Sequence, residues 1–373
     1  MNRRSHTPIE AGTLEVVAEQ EACGDGHPSS VLRRILLPNW RQRKKMLRLD
    51  AWILVIGSYL LLALAFLWPQ DFRTKAPLYN LIGYGVFMTW TFVWHLGVLL
   101  ALVGVLAAWQ RAWRLALATV PLLLVSLGPE LWHFLPKSPL PIKGEAVTVM
   151  SVNLLYMNYD TAGIIEEIKA ARPDILLLQE YSPDWHRELQ ESIGKDYPHI
   201  TVAPQPDPFG AAIYSRRAFK DNVVSSLRLA DVPAPQMRAV VEIGGRDVAI
   251  YNVHLLPPYG LGYTWRTRCQ LADLIDILRN EGLPIILSGD FNFTERSPNA
   301  AGLHELGLLD THTVAGFGRG STWPVHSFYR YVPGIQLDHI YVRGDLTCDE
   351  SRTGTGAGSD HRPIIATIGF ADR

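Results

Sequence analysis

An α-helical membrane anchor followed by an α+β domain with a two-sheet core is the architecture this sequence predicts, on three observations. Composition changes near residue 145: residues 1–145 hold 15 Lys+Arg and 9 Asp+Glu, a net +6, whereas residues 146–373 hold 20 and 27, a net −7. The first half contains long runs free of charge. The second half alternates short apolar strands with a few helical patterns, which pack most naturally as two sheets covered by helices. The chain as a whole has 373 residues, a net charge of −1, 19% charged residues and a mean hydropathy of +0.06. These values exclude a disordered charged tail, and three cysteines exclude a disulfide-built miniprotein.

The predicted elements begin with a cytoplasmic polar and basic leader over residues 1–50. It ends in Arg33, Arg34, Arg41, Arg43, Lys44, Lys45 and Arg48. Three transmembrane helices are predicted within residues 51–135. Ala51 to Trp68 carries no charge and is long enough for a bilayer core of ~30 Å. A second uncharged stretch runs from Leu78 to Trp109, and a third from Leu115 to Leu127, extended by Leu131 to Leu135 past Pro129 and Glu130. Trp109, Trp113 and Trp132 near the ends suit the interface. The long leader before Ala51 argues against a cleaved signal peptide. The basic residues place the N-terminus inside, and three crossings place the catalytic domain outside, periplasmic or extracellular. Were the third stretch not to cross, that domain would be cytoplasmic.

Residues 136–145 read as a stiff proline-rich linker (PKSPLPIKG). Strands are expected at Val147 to Leu155, Asp174 to Gln179, Phe209 to Tyr214, Arg238 to Ile243, Val248 to His254, Pro284 to Ser288, Leu337 to Val342 and Pro363 to Ile368. Tyr159 to Ala171 has a helical pattern. In Thr264 to Asn280, Leu271, Leu274, Ile275 and Leu278 keep the spacing of an amphipathic helix.

Polar residues cluster at the ends of these strands. Asn153 ends VMSVNLL, Glu180 follows DILLLQ, His254 closes AIYNVHL, and Asp290 and Asn292 follow IILSG in GDFN. Asp338 lies in QLDHIYV, and Asp360 and His361 form SDHRP. Holding so many carboxylates, amides and imidazoles at buried strand ends has a desolvation cost, and such convergence marks a site. Taken singly, Glu180 would serve equally as a helix-capping acid, Asn292 as a turn residue, Asp338 as an arginine partner and His254 as a core histidine. Strand alternation turns His339 to the face opposite Asp338, a structural role. His304, His312 and His326 carry no motif. The sequon at Asn292, the GTGAG run before SDHRP and the Arg343-Gly344-Asp345 turn carry no separate function, and a Cys269–Cys348 disulfide is not expected.

Together GDFN, SDHRP, LQE, the Asn of SVNL and the LDHI strand resemble the endonuclease/exonuclease/phosphatase superfamily, the DNase I-like fold. The resemblance spans about residues 146–370 in that family's motif order, and TWP at Thr322 to Pro324 is similar to a further piece of it. It implies a four-layer α/β/β/α sandwich over residues 146–373 and a metal-dependent phosphoester hydrolase. Glu180 would match the main Mg²⁺ ligand, with Asn153 beside it and Asp360 close to the ion. Mn²⁺ is an alternative hard cation. His361 would match the general base and Asp338 the carboxylate that orients it, with Asp290 and Asn292 positioning the nucleophile and the phosphoryl oxygens. His254 would match a second histidine at the phosphate or leaving group, and Arg266 and Arg268 a weaker substrate contact. The expected partners are a phosphoester substrate (nucleic acid or lipid headgroup) and the bilayer; no protein partner is inferred. The acidic catalytic half lacks long-range steering toward a polyanion, and the anchor favours lipid headgroups, so a phospholipid or sphingomyelin phosphodiesterase is the alternative to a nuclease-type enzyme. A non-catalytic phospho-ligand-binding membrane protein is the alternative of another class; it predicts replacements at the base or metal positions, and none is seen. A transporter fails on the scarcity of intramembrane charge.

Overall fold

The computed structural model describes residues 40–158, 160–220, 223–325 and 333–372. Most of the leader and His326 lie outside them. Contacts divide the chain into two compact units, Met1–Trp52 and Ile53–Arg373. In the first, the described residues form the start of the helix Trp40–Leu67. That helix is long and apolar enough to cross a membrane over Gln42–Leu67. The other two predicted spans are not single straight helices. Residues 78–109 form Pro77–Thr91 and Val93–Trp109, bent by 65° at Phe92, and the third forms Trp113–Ser126 and Gly128–Phe134, bent by 53°. Among the described residues, one helix is by length and composition able to cross a membrane, or up to three if each bent pair counts as one span.

Twelve described strands follow: β1 (Ile142–Asn153), β2 (Ile175–Gln179), β3 (His199–Ala203), β4 (Ala211–Ser215), β5 (Val224–Leu229), β6 (Val232–Ile243), β7 (Arg246–His254), β8 (Ile285–Asp290), β9 (Leu309–Asp310), β10 (Asp338–Arg343), β11 (Leu346–Thr353) and β12 (Ile364–Ala371). They form two six-stranded sheets, β11-β12-β1-β2-β4-β3 and β5-β6-β7-β8-β10-β9. The strand β1 begins inside the predicted linker, where Ile142 pairs with Ala371. Strand parity makes the layers. In β2, Ile175 and Leu177 face the second sheet, packing with Val241, Ile250 and Ile286. Leu176 and Leu178 face outward, under Ile164, Ile168, Trp185 and Leu189 of the helices Ala162–Ala171 and Pro183–Ile193. The outer face of the second sheet buries Leu271, Leu274, Ile275 and Leu278 of the helix Leu261–Arg279 against Tyr251, Leu287 and Phe291. The result is the four-layer α/β/β/α sandwich. Asn252 ties its sheets together, donating to the Leu178 and Ala212 carbonyls at 2.9 and 3.0 Å while accepting from Gln179 at 2.7 Å.

Polar bonds join the segment that follows the first helix to this sandwich. Arg268 is 5% exposed and donates to the Asp71 and Thr74 carbonyls at 2.7 and 3.2 Å and to the Asn80 side chain. Glu130 accepts from Arg319 Nε at 2.9 Å and pairs with Arg296 at 3.7 Å. Cys269 and Cys348 are both free.

Candidate active site

The register of the strands brings the predicted residues to one edge. Asn153 and Gln179 are partners in the parallel pair β1–β2, so Glu180 emerges beside Asn153. His254 and Asp290 are partners in the parallel pair β7–β8, and Asp338 faces Asp290 across the antiparallel pair β8–β10. Five strand ends, of β1, β2, β7, β8 and β10, therefore bring these residues together. Gly289, at φ 143°, permits this, because a Cβ there would collide with the Val253 carbonyl. Glu180 and Asn292 hold left-handed backbones, φ 56° and 54°, a strained conformation for non-glycine residues that local hydrogen bonds maintain. The Glu180 carboxylate accepts from Tyr156 N at 3.0 Å, and Asp290 Oδ1 accepts from Asn292 N at 2.9 Å.

Asn153 Nδ2 lies 3.1 Å from both Glu180 Oε1 and Asp290 Oδ2, bridging two carboxylates. In this orientation its Oδ1 accepts from Leu155 N at 3.1 Å. Turning the amide over would present oxygen to a cation instead. His361 Nδ1 is 2.7 Å from Asp338 Oδ2, and its Nε2 stands 3.8 Å from Asp290 Oδ2. His254 Nε2 approaches Asp290 Oδ2 at 3.6 Å from the other side, and its Nδ1 is buried without a partner. Trp323 Nε1 donates to Asp360 Oδ2 at 3.3 Å. Asn292 Nδ2 donates to the Leu255 carbonyl at 2.9 Å, so part of its amide is committed to the loop.

Glu180, His254, Asp290, Asn292, Asp360 and His361 line one cleft of about 810 Å³, within the size range of small-molecule sites. Among the described residues lining it there is no Lys or Arg. Burial and then the adjacent Asp338 push the Asp290 carboxyl up to about 6, against the pull of His361 and His254. For His361, burial alone would lower the imidazole, but Asp338 and Asp290 prevail and raise it to about 10. The cleft thus gathers three carboxylates with His361 but no Lys or Arg in its described lining to offset them, and an oxygen-rich set of this kind fits a hard divalent cation. Two groups have ligand atoms within 4.8 Å of one another, Asp290/Asp338/His361 and Glu295/Asp310/His339. The second is closed to a metal, because both His339 nitrogens are engaged, Nδ1 with Asp310 and Nε2 with the Phe293 carbonyl, each at 3.0 Å. That fulfils the structural reading of His339.

Two expected residues stay outside. Arg268 is spent on residues 71–80, and Arg266 is exposed and absent from the cleft lining, so neither contacts a phosphate there. His304 pairs with Glu295 at 2.9 Å and His312 with the Gly318 carbonyl at 2.9 Å, away from the cleft. Sequence reasoning missed Thr322, whose Oγ accepts from Leu337 N and Asp338 N at 3.0 and 3.2 Å. It also missed Ser359, whose Oγ donates to the Asn153 carbonyl at 2.7 Å and accepts from His361 N at 3.1 Å. Both sit in strings already singled out, TWP and SDHRP. It missed entirely the apolar wall formed by Tyr84, Phe87, Met88, Thr91 and Phe92.

Comparison with known proteins bears on the fold and the family. A "UPF0294 protein" of Vibrio campbellii is 23% identical over 250 residues, covering 62% of this chain and 80% of that one. Among solved structures, an endonuclease/exonuclease/phosphatase protein from Beutenbergia cavernae superposes with TM-score 0.50 at 18% identity, over 61% of this chain and 72% of the other. D. rerio TDP2, solved with a single-strand DNA product, gives TM-score 0.50 at 18% identity, over 61% of this chain and all of that one (100%). These likenesses establish the fold. The family model for the Endonuclease/Exonuclease/phosphatase family matches residues 150–361, a span that begins in β1 and ends at the histidine of SDHRP, and the chain belongs to that family.

Proposed function

We propose that this protein is a membrane-anchored, divalent-metal-dependent phosphodiester hydrolase. The observation that carries the proposal is the meeting of Glu180, Asp290 and the His361–Asp338 pair in one cleft whose described lining holds no Lys or Arg. Glu180, Asp360 and the reoriented amide of Asn153 would hold Mg²⁺ or Mn²⁺, which when bound supplies Lewis acidity to the phosphoryl group. His361 Nε2 takes the proton of the attacking water. Against burial, Asp338 and Asp290 raise that imidazole to about 10 and so stabilise the imidazolium that results, while a divalent cation held beside it would oppose that charge and favour the neutral base beforehand. Asp338 fixes the ring through Nδ1, and its own strand end is pinned by Thr322. Asp290 orients the water from the side opposite Asp338, while Asn292 and His254 Nε2 face the phosphoryl oxygens. The water oxygen bonds to phosphorus, the ester P–O bond breaks, and the departing alkoxide takes up a proton.

Anchoring is supported by apolar exposure on the N-terminal helices: Leu60 is 68% exposed, Val105 68% and Leu124 69%. Surfaces of this kind belong in lipid. With the basic run before residue 50, three crossings would put the N-terminus in the cytoplasm and the cleft outside. Alkaline phosphatase fused after Arg373 should then be active, and an inactive fusion contradicts that sidedness. The chemical test uses the full chain in lipid nanodiscs with bis-p-nitrophenyl phosphate. Chelator should abolish turnover and added Mg²⁺ or Mn²⁺ restore it; undiminished turnover in chelator would refute the mechanism.

A further inference from the structure

Two unlike sets of side chains line the cleft. One is Glu180, Asp290, Asp360 and His361. The other is Tyr84, Phe87, Met88 and Phe92, from the helix Pro77–Thr91 and the residue that follows it. This wall is built into the catalytic core. Phe87 is 6% exposed and packs in the cluster that holds Tyr251, Leu287 and Phe291 of the sandwich, with Met88 against it. Arg268 fixes the start of the same helix through the Asp71 and Thr74 carbonyls and Asn80. An apolar segment of the membrane region therefore completes the site.

A nucleic-acid groove needs the opposite lining. Binding to a polyanion is carried by Lys and Arg along its path, and single-strand binders set their aromatic residues within such a basic groove. Beside the catalytic groups, the described lining here offers aromatic and aliphatic side chains and no Lys or Arg. The apolar wall also continues outward. Phe92 lines the cleft, sits at the 65° bend and is 43% exposed; beyond it Leu99 and Leu102 are 45% and 58% exposed on the same helix pair. Across the mouth, Tyr259 and Tyr263 are 79% and 40% exposed and line the cleft as well. Aromatic residues with one polar edge suit the level of lipid headgroups.

We propose that the substrate is an amphipathic phosphodiester, a lipid whose phosphate lies beside His361 and whose hydrocarbon chain lies against Tyr84, Phe87, Met88 and Phe92. This rests on the hydrolase reading above and specifies its substrate class. Water adds its oxygen to phosphorus, His361 takes one of the water's protons, the headgroup ester P–O bond breaks, and the departing alkoxide takes that proton back from His361, releasing an alcohol and a phosphomonoester.

The test measures kcat/KM of the full chain in nanodiscs, with Mg²⁺, on p-nitrophenyl phosphodiesters bearing a methyl, butyl or octyl group. Each buried methylene contributes about fourfold, so methyl to octyl should raise kcat/KM at least ~100-fold. Partition into the nanodisc would also favour the longer chain, so the variant series decides. Met88→Glu, or Tyr84→Ser should the first not fold, must flatten the dependence on chain length roughly tenfold, whereas Leu60→Ser, an exposed site on the first helix away from the cleft lining, must leave it as in the wild type. A wild-type gain below about threefold, or a slope unmoved by the wall variants, overturns the lipid assignment while leaving the hydrolase standing. Faster cleavage of an oligothymidylate than of the octyl ester overturns it in favour of a nucleic acid. No turnover of any ester overturns the hydrolase reading itself.

Discussion

Two buried histidine–carboxylate clusters lie on opposite faces of the second sheet, and neighbouring residues of one strand belong to each. Asp338 joins His361 and Asp290 at the cleft; His339 joins Asp310 and Glu295 in the interior. The residue types are nearly the same, and in both clusters burial opposes the imidazolium while carboxylates restore it. What differs is the free valence. His339 is 0% exposed with both ring nitrogens bonded to protein. His361 commits Nδ1 to Asp338 and leaves Nε2 toward the cleft, 3.8 Å from its nearest carboxylate oxygen. The first cluster has a proton to exchange; the second is a fastening. Residue type alone does not make a catalytic dyad.

Substitutions can break this contrast, in decreasing order of effect. Asp338→Asn should lower kcat on bis-p-nitrophenyl phosphate by about 10³-fold with the unfolding midpoint little changed, since it removes the carboxylate that steadies the imidazolium. His339→Gln should do the reverse. It leaves Asp310 buried beside Glu295 with no counter-charge, which should cost on the order of 3 kcal/mol in denaturant unfolding, while kcat per folded molecule stays within roughly threefold.

The same histidine sets a pH dependence. In the folded protein burial works against the charge of His339, but Asp310, Glu295 and the Phe293 carbonyl raise it to about 9, above an unfolded value near 6.5. A group raised on folding stabilises fully below its unfolded value, and that contribution fades as pH rises through the folded one. The wild type should therefore lose stability between about pH 6.5 and 9, and His339→Gln should reduce that slope, the remainder coming from His361, which is raised to about 10. An equal slope in both would show that another group carries it. Smaller still, Arg268→Ala should cost about 1–2 kcal/mol and expose the loop after the first helix to protease, without altering metal dependence.

Much of this was legible in the sequence, for identifiable reasons. Runs such as DILLLQ and IILSG are buried on both faces, so their boundaries and the polar residues that end them stand out. The strands β3, β5, β9 and β11 did not stand out. They are the edge strands of the two sheets, with mixed burial, as in VSSLRL, where the first three residues are exposed. The helix Pro183–Ile193 carried a readable signal that went unused, Ser182 accepting from Trp185 N ahead of a proline. The bend at Phe92 has neither proline nor glycine beside it to mark it. The apolar wall was illegible in principle: hydropathy reports that residues 78–109 avoid water, and only docking through Arg268 and Phe87 decides that part of that segment faces the cleft. Arg268 itself read as a phosphate contact because a helix arginine gives no sign of what lies opposite.

The central claim is that His361 exchanges the proton while its look-alike only holds the fold. It is tested most directly by kcat of His361→Ala on bis-p-nitrophenyl phosphate with Mg²⁺, measured beside thermal unfolding of the same full-length preparation. The account requires a fall of about 10³–10⁴-fold with the unfolding midpoint shifted by no more than a few degrees. Turnover within tenfold of the wild type in a folded variant would contradict it.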